Sequence, residues 1–305
     1  MRTNGKRLVI KAVQGVISNP KVPLRNPFIV SNQGQPFVLP ATGGISYNVL
    51  VGDSVFDFEG DHIEPCVIIT REEKAVDQNI LGGLNVLSCI GNEAFVVSGP
   101  ETGSKGMVTG KHGGVEHVLI DFPNGVLERL AIGDRIQVRA YGQGLQLLDF
   151  PQIHVMNISP GLLERMGITQ NKGQLVVPVT HVIPSSILGS GYGSRHSYSG
   201  DIDIQIPDKD AVQRYGLQKL RIGDVIAIRD LDARYGRVIR NGAMSIGVIV
   251  HASCLVSGHG PGVTMIMSTT EKSIMPKIED DANIGRYLSI GRWRKKPAYR
   301  RRTKK

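Results

Sequence analysis

The segment Leu130-Ala-Ile-Gly-Asp-Arg-Ile-Gln-Val-Arg139 recurs, ninety residues further on, as Leu220-Arg-Ile-Gly-Asp-Val-Ile-Ala-Ile-Arg229. The match extends upstream. Lys111-His112 precedes His117-Val-Leu-Ile-Asp-Phe-Pro123, and Arg195-His196 precedes Asp201-Ile-Asp-Ile-Gln-Ile-Pro207 at the same spacing. Each copy reads as a basic residue with His, a turn, an alternating strand ended by Pro, a loop, a Gly-Asp turn and a second alternating strand. Gly supplies the unusual backbone dihedral and Asp caps the turn. Three features in one order predict a duplicated unit rather than a coincidence of common turns. The expected fold is therefore mainly β, with an antiparallel barrel or sandwich in each half and one or two short helices.

The 37 Gly and 16 Pro agree with many turns and short strands. Helical spacing appears over 72–89, where Ala75, Ile80, Leu81, Leu84 and Leu87 follow an acidic start, and again over Pro160–Met166. Gly82-Gly83 weakens the first of these. These signals divide the chain into 1–155, a β-rich domain with one helix, and 156–285, a second β-rich domain. A tail, 286–305, follows.

The tail holds ten of the 36 Lys and Arg and no acid, so the rest of the chain carries 26 basic and 27 acidic side chains. The body is nearly neutral. With few apolar groups to bury, the tail is expected to be disordered. It could give a weak nucleic-acid contact through its cations and through Trp293 and Tyr299. A solubilising extension with no partner is the plainer alternative.

No apolar run approaches the length of a membrane helix, and the start of the chain does not read as a secretion signal. Cys66, Cys89 and Cys254 have no paired spacing. Reduced thiols in a cytoplasmic protein are the expectation. Homo-oligomerisation is left open.

Several clusters bear chemistry. In Asp61-His62-Ile-Glu64, an extended backbone would turn His62 and Glu64 to one side. Imidazole with carboxylate suits Zn, Mn or Fe, or a general base, although a loop whose acids bind nearby amides looks the same. Lys111-His112-Gly-Gly-Val-Glu116-His117 is the densest polar group, on a turn that could converge on an ion or an anion. Asp201 and Asp203 share one strand face, a solvated edge or a pair of ligands or acid–base groups. His251 ends an apolar strand, where a core histidine is common. His259 lies in Gly258-His-Gly-Pro-Gly262, a turn able to present backbone N–H groups to an anion. No P-loop, nucleophile elbow or zinc-finger spacing is present. The chemistry so read is a metal-assisted hydrolase or a small-molecule binder. His62, Glu64 and His251 are the expected ligands of a divalent metal, and His112, Asp201 and His259 the catalytic groups. A non-catalytic binder of nucleic acid or an acidic partner, acting through the tail, is the competing class.

Taken together, Pro40–Val49, Gly60–Pro65, Gly91–Ala94, Val108–His117, Ser199–Ile204 and Gly258–Val263 resemble an uncharacterised bacterial and archaeal family, a domain of unknown function. The resemblance spans about residues 25–270 and implies no activity. A shorter stretch, Gly242–Ala252 with Gly258–Val263, resembles a signature of the acetamidase and formamidase family. That comparison implies a metal-site position for His251 and an amide-type hydrolase. The sequence departs from it by offering His259 where the family's turn has an acid.

Overall fold

The Gly-Asp pair builds the same turn three times. Asp134 Oδ2 accepts from Ala131 N, Asp224 Oδ2 from Arg221 N and Asp53 Oδ2 from Leu50 N, each at 2.9 Å. The preceding glycines, Gly133, Gly223 and Gly52, have φ of 91°, 89° and 100°. Only glycine adopts that region without strain, and the Asp carboxylate closes the loop that the backbone leaves open. The third instance lies outside the two expected copies.

The computed structural model describes residues 1–22, 28–38, 42–71, 82–189, 191–193, 196–206 and 208–295. In the first half these form β1 (Lys11–Ile17), a small β2–β3 hairpin (Ile29–Val30 and Pro36–Phe37), β4 (Ile45–Ser46), β5 (Cys66–Thr70) and α1 (Gly82–Leu87). Then come β6 (Glu93–Val96), β7 (Lys105–His112), β8 (His117–Asp121), α2 (Asn124–Leu127) and β9 (Arg135–Ala140). Of the helix expected over 72–89, residues 72–81 lie outside the described part.

The strands pair antiparallel in the order β1-β9-β6-β7-β8-β5, and β5 returns to β1 through Val16–Thr70 and Ile17–Ile69. This closes a six-stranded barrel, with β4 added beside the start of β5. Closure removes the open edges that a sheet would otherwise expose. Alternation places Ile136, Val138 and Ala140 of β9 inward, and Val67, Ile69, Val118 and Ile120 join Ile136 and Val138 in the barrel core.

The second half contains β10 (His154–Val155), α3 (Pro160–Arg165), β11 (Thr169–Asn171), β12 (Gln174–Val179), β13 (His181–Pro184) and β14 (Ile202–Asp203). It continues with α4 (Lys209–Arg214), β15 (Val225–Asp232), β16 (Val238–Ile249), β17 (Gly262–Thr269), β18 (Ile274–Ile278) and α5 (Ile284–Leu288). Helix α3 starts where expected, with Ser159 Oγ accepting from Leu162 N at 3.1 Å.

The chain is mainly β with short helices, as the repeat implies. Both copies run strand, short helix, Gly-Asp turn, strand, but their surroundings differ. The first copy lies in the barrel. The second lies in an open sheet, β10-β17-β16-β15-β13, with β14 also on β17 and β13 parallel to β15. Strand β15 is buried on both faces from Val225 to Ile228, the pattern of a central strand. A third sheet, β11-β12-β18, adds a second parallel pair. One large apolar core joins the halves, running from Val49, Leu119 and Leu147 to Ile226, Ile246 and Met265. At the junction, a Cβ on Gly110 of β7 would stand 2.3 Å from Val250 Cγ1, so glycine there allows the barrel to meet the second sheet.

The tail expectation is corrected over its first half. Residues 286–295 are placed against the body. Arg292 pairs with Asp53 and Arg294 with Asp121, and Arg221 lies 5.5 Å from the centroid of the Trp293 ring. The cations meet buried acids, an outcome that composition could not reveal. Residues 296–305 lie outside the described part. Among the described residues no helix is long and apolar enough to cross a membrane.

Candidate metal centre

Four segments that are distant in sequence meet where the barrel abuts the second sheet. Strands β7 and β8 bring His112 opposite His117 across the Gly113-Gly114 turn. The loop before β5 brings Asp61, His62 and Glu64. Strand β14 brings Asp203, with Asp201 just before it. His251 follows β16, and His259 lies in the turn before β17.

The backbone at this junction is tight. A Cβ on Gly113 would lie 1.8 Å from the Tyr192 carbonyl, and one on Gly260 would lie 1.8 Å from that of Ile204. At Gly262 the added carbon would sit 1.9 Å from Asp201 Oδ2 and 2.2 Å from His251 Nε2. Gly260 and Gly262 thus serve close approach, whereas a Cβ on Gly258 would meet nothing within 4 Å and its φ of 81° serves the turn.

His62 and Glu64 do not share a side as an extended strand would require. His62 has a φ of 50°, which breaks the alternation and sends the two side chains different ways. His62 Nδ1 lies 2.6 Å from Asp61 Oδ1, and its Nε2 lies 2.9 Å from His259 Nδ1 and 3.5 Å from Asp203 Oδ2. Cys254 Sγ donates to Asp61 Oδ1 at 2.8 Å. His259 Nδ1 lies 2.8 Å from Asp203 Oδ2. Glu64 instead reaches behind the other histidines. Its Oε1 lies 2.7 Å from His112 Nδ1 and 2.8 Å from His117 Nδ1, and its Oε2 accepts from Gly43 N at 2.7 Å.

His251 Nδ1 donates to the Ala252 carbonyl at 2.8 Å, which turns Nε2 inward. There it stands 2.9 Å from Asp201 Oδ2 and 3.5 Å from Asp203 Oδ1. Despite the short distance, His251 Nε2 and Asp201 Oδ2 are both without a hydrogen-bond partner. They face one another without the alignment a hydrogen bond needs. Asp201 Oδ1 is held separately by Gly113 N at 2.8 Å. The rings of His112 and His62 lie 4.4 and 5.3 Å from that of His251.

Charge follows this geometry. Burial alone would raise Glu64, but the imidazoles of His117 and His112 hold its carboxyl well below the usual range. Burial likewise opposes ionisation of Asp203, and His251, His259 and His62 overcome it. For His62, burial pulls downward while Asp203 and Asp61 push its pKa up to about 12. For His251, burial again pulls down, and Asp201 and Asp203 raise it to about 10. Lys111, between two residues of the site strand, points away from the cluster. Its ammonium reaches Asn157 Oδ1 and the carbonyls of Tyr198 and Val86, and burial lowers its pKa to about 8.

All six residues expected from sequence (His62, Glu64, His112, Asp201, His251 and His259) lie in this cluster, with His117. Asp61, Asp203 and Cys254 join them. Sets of ligand-type atoms within 4.8 Å of one another are His112/Asp201/His251, His62/Asp203/His259, Glu64/His112/His117 and Asp61/His62/Cys254.

Two family models cover this architecture, the N-terminal domain of DUF4438, a domain of unknown function, over residues 28–164 and its C-terminal domain over 165–288. The chain belongs to that family. The crystal structure of TM1086 is similar at a TM-score of 0.88 and 46% identity, over 94% of this chain and 99% of that one. No curated protein matches the chain. The resemblance to acetamidases and formamidases is not shown by these matches and rests on its short stretch alone.

Proposed function

We propose that the cluster binds a divalent cation and that the protein is a metal-assisted hydrolase of a small molecule. The observation that carries this reading is the facing pair His251 Nε2 and Asp201 Oδ2, both buried, 2.9 Å apart as an ion pair and each without a hydrogen-bond partner. A buried polar atom without a partner is costly, and ligand atoms that converge on an ion have this arrangement. His112 completes the set. His112 and His251 each have the other ring nitrogen fixed, by Glu64 and by the Ala252 carbonyl. Metal-ligating histidines are oriented in this way. Glu64, expected as a ligand, is better read as the acceptor that fixes His112 and His117.

A cation held by His112, Asp201 and His251 would polarise a carbonyl and lower the pKa of water. His62, Asp203 and His259 line the side from which substrate and water would approach, His259 being the most exposed, at 39% of its side chain. In hydrolysis the water oxygen bonds to the acyl carbon, the carbon–heteroatom bond breaks, and a proton passes to the leaving group. Of the tail's ten cations, Arg292 and Arg294 are committed to Asp53 and Asp121, so nucleic-acid binding would fall to the others.

Elemental analysis of purified protein tests the reading. Bound Zn, Mn or Fe is expected, lost in His251→Ala, together with metal-dependent cleavage across a panel of small amides and esters. Stripped protein that takes up none of these metals overturns it.

A further inference from the structure

Asp203 presents its two oxygens to different histidines. Oδ1 lies 3.5 Å from His251 Nε2, whereas Oδ2 lies 2.8 Å from His259 Nδ1 and 3.5 Å from His62 Nε2. One carboxylate therefore touches both the His112/Asp201/His251 set and the His62/Asp203/His259 set. We propose that the centre holds two divalent cations, the second bound by His62, His259 and Asp203, with the Asp203 carboxylate bridging the pair. This rests on the single-cation reading above and extends it.

Three observations converge on the second position. The first is the nitrogen–nitrogen contact. His62 Nε2 and His259 Nδ1 stand 2.9 Å apart and both face Asp203 Oδ2. One hydrogen between them could satisfy that pair, but it would leave the carboxylate oxygen competing for the same proton. A cation accepts all three lone pairs at once.

The second is the outer anchor. His62 Nδ1 is fixed by Asp61 at 2.6 Å, and Asp61 in turn accepts from Cys254 Sγ. This repeats the carboxylate support of His112 by Glu64. The positive φ of His62 is the backbone cost of aiming Nε2 inward, and strain of this kind collects at functional sites.

The third is charge. Asp61, Glu64, Asp201 and Asp203 bring four carboxylates into a largely buried region, with side chains 23%, 1%, 3% and 12% exposed. Among the described residues their ion pairs are all with imidazoles. Two dications offset four carboxylates with every imidazole neutral, whereas with one the remaining two charges fall to protonated imidazoles, which then cannot ligate. A bridging carboxylate suits ions about 3.5–4 Å apart, the spacing of two-metal hydrolytic sites.

The test counts ions. Stripped protein is titrated with Mn(II) and with Zn(II), and bound metal is measured per chain after removal of the excess. The expected result is two per chain for the full protein and one for His259→Gln, whose partly exposed side chain makes a folded variant obtainable. Manganese resonance spectra of the doubly loaded protein should show spin coupling, abolished by Asp203→Asn. Thermal melts establish that each variant is folded, and if Asp203→Asn does not fold, the wild-type count and His259→Gln decide. One ion per chain, unchanged in His259→Gln, overturns the second position and leaves the single-cation reading intact. Two ions in both proteins overturn the assignment to His259. Uncoupled manganese at two per chain overturns the bridge. No bound metal overturns both readings.

Discussion

The imidazoles of His112 and His251 lie with centroids 4.4 Å apart and planes tilted by 32°, one ending a strand of the barrel and the other leaving the second sheet. Each half alone thus carries only part of each of the two ligand sets proposed above, His112/Asp201/His251 and His62/Asp203/His259. The large core also crosses between them, with Leu119 and Leu147 in the same cluster as Ile226 and Ile246. A chain divided between residues 164 and 165 should give fragments that neither bind cation nor show native near-ultraviolet dichroism alone. Cation binding by either fragment would contradict the arrangement.

Gly262→Ala should be a sharper probe than removal of a ligand. Its Cβ would fall 1.9 Å from Asp201 Oδ2 and 2.2 Å from His251 Nε2, both inside contact distance. The two side chains must separate, at about 1–3 kcal/mol for the overpacking. Metal affinity should fall by about 10- to 100-fold, the loss typical when ligands are misoriented. Competition with a chelator of known affinity measures this, and an unchanged affinity would show that the facing pair does not bind the ion.

Cation binding should tighten as pH rises. Without an ion, His62 and His251 are raised from 6.5 to about 12 and about 10, so both are protonated near neutrality. A ligating imidazole must give up that proton. Each proton displaced steepens the dependence by about tenfold per pH unit. Calorimetry in buffers of different ionisation enthalpy should therefore detect protons released on binding. The linkage to folding has the opposite sense. For the ion-free fold these raised values contribute fully below pH 6.5, and that contribution is lost as pH climbs through 10 and then 12. Ion-free protein should lose stability in alkali more than ion-loaded protein does.

The site was legible in residues but not in geometry. His112, His251 and His259 stood out because each adjoins glycine turns or ends an apolar strand, and the alternation of Asp201 and Asp203 correctly placed both acids together. The separation of His62 from Glu64 was hidden, since no local pattern announces a positive φ at a histidine. Cys254 gave no signal, because its link to Asp61 joins positions 193 residues apart. The repeat marked the Gly-Asp turns, and the three share one hydrogen bond. It did not reveal that one copy closes a barrel and the other joins a sheet with a parallel pair. Strand pairing of that range depends on what lies beside each strand, not on its own pattern.

Arg294→Ala should destabilise the protein by about 3 kcal/mol, the cost of leaving a buried acid without its partner. Asp121 is 1% exposed, and burial already raises its pKa despite Arg294. Asp121→Asn should recover much of the loss, since the amide removes the unpaired charge. Urea denaturation of the single and double variants measures both, and equal stabilities would refute the pairing.

Arg294 meets Asp121 across 173 residues, and Arg292 meets Asp53 across 239. During synthesis, then, the barrel strand that holds Asp121 is made long before the cation that neutralises its acid. Until that cation emerges, the buried carboxylate opposes closure of the barrel, even though Asp201, Asp203, His251 and His259 of the second sheet have by then been made. The order of translation thereby ties closure of the first half, and with it the meeting of His112 with His251, to the arrival of the segment that carries Arg294.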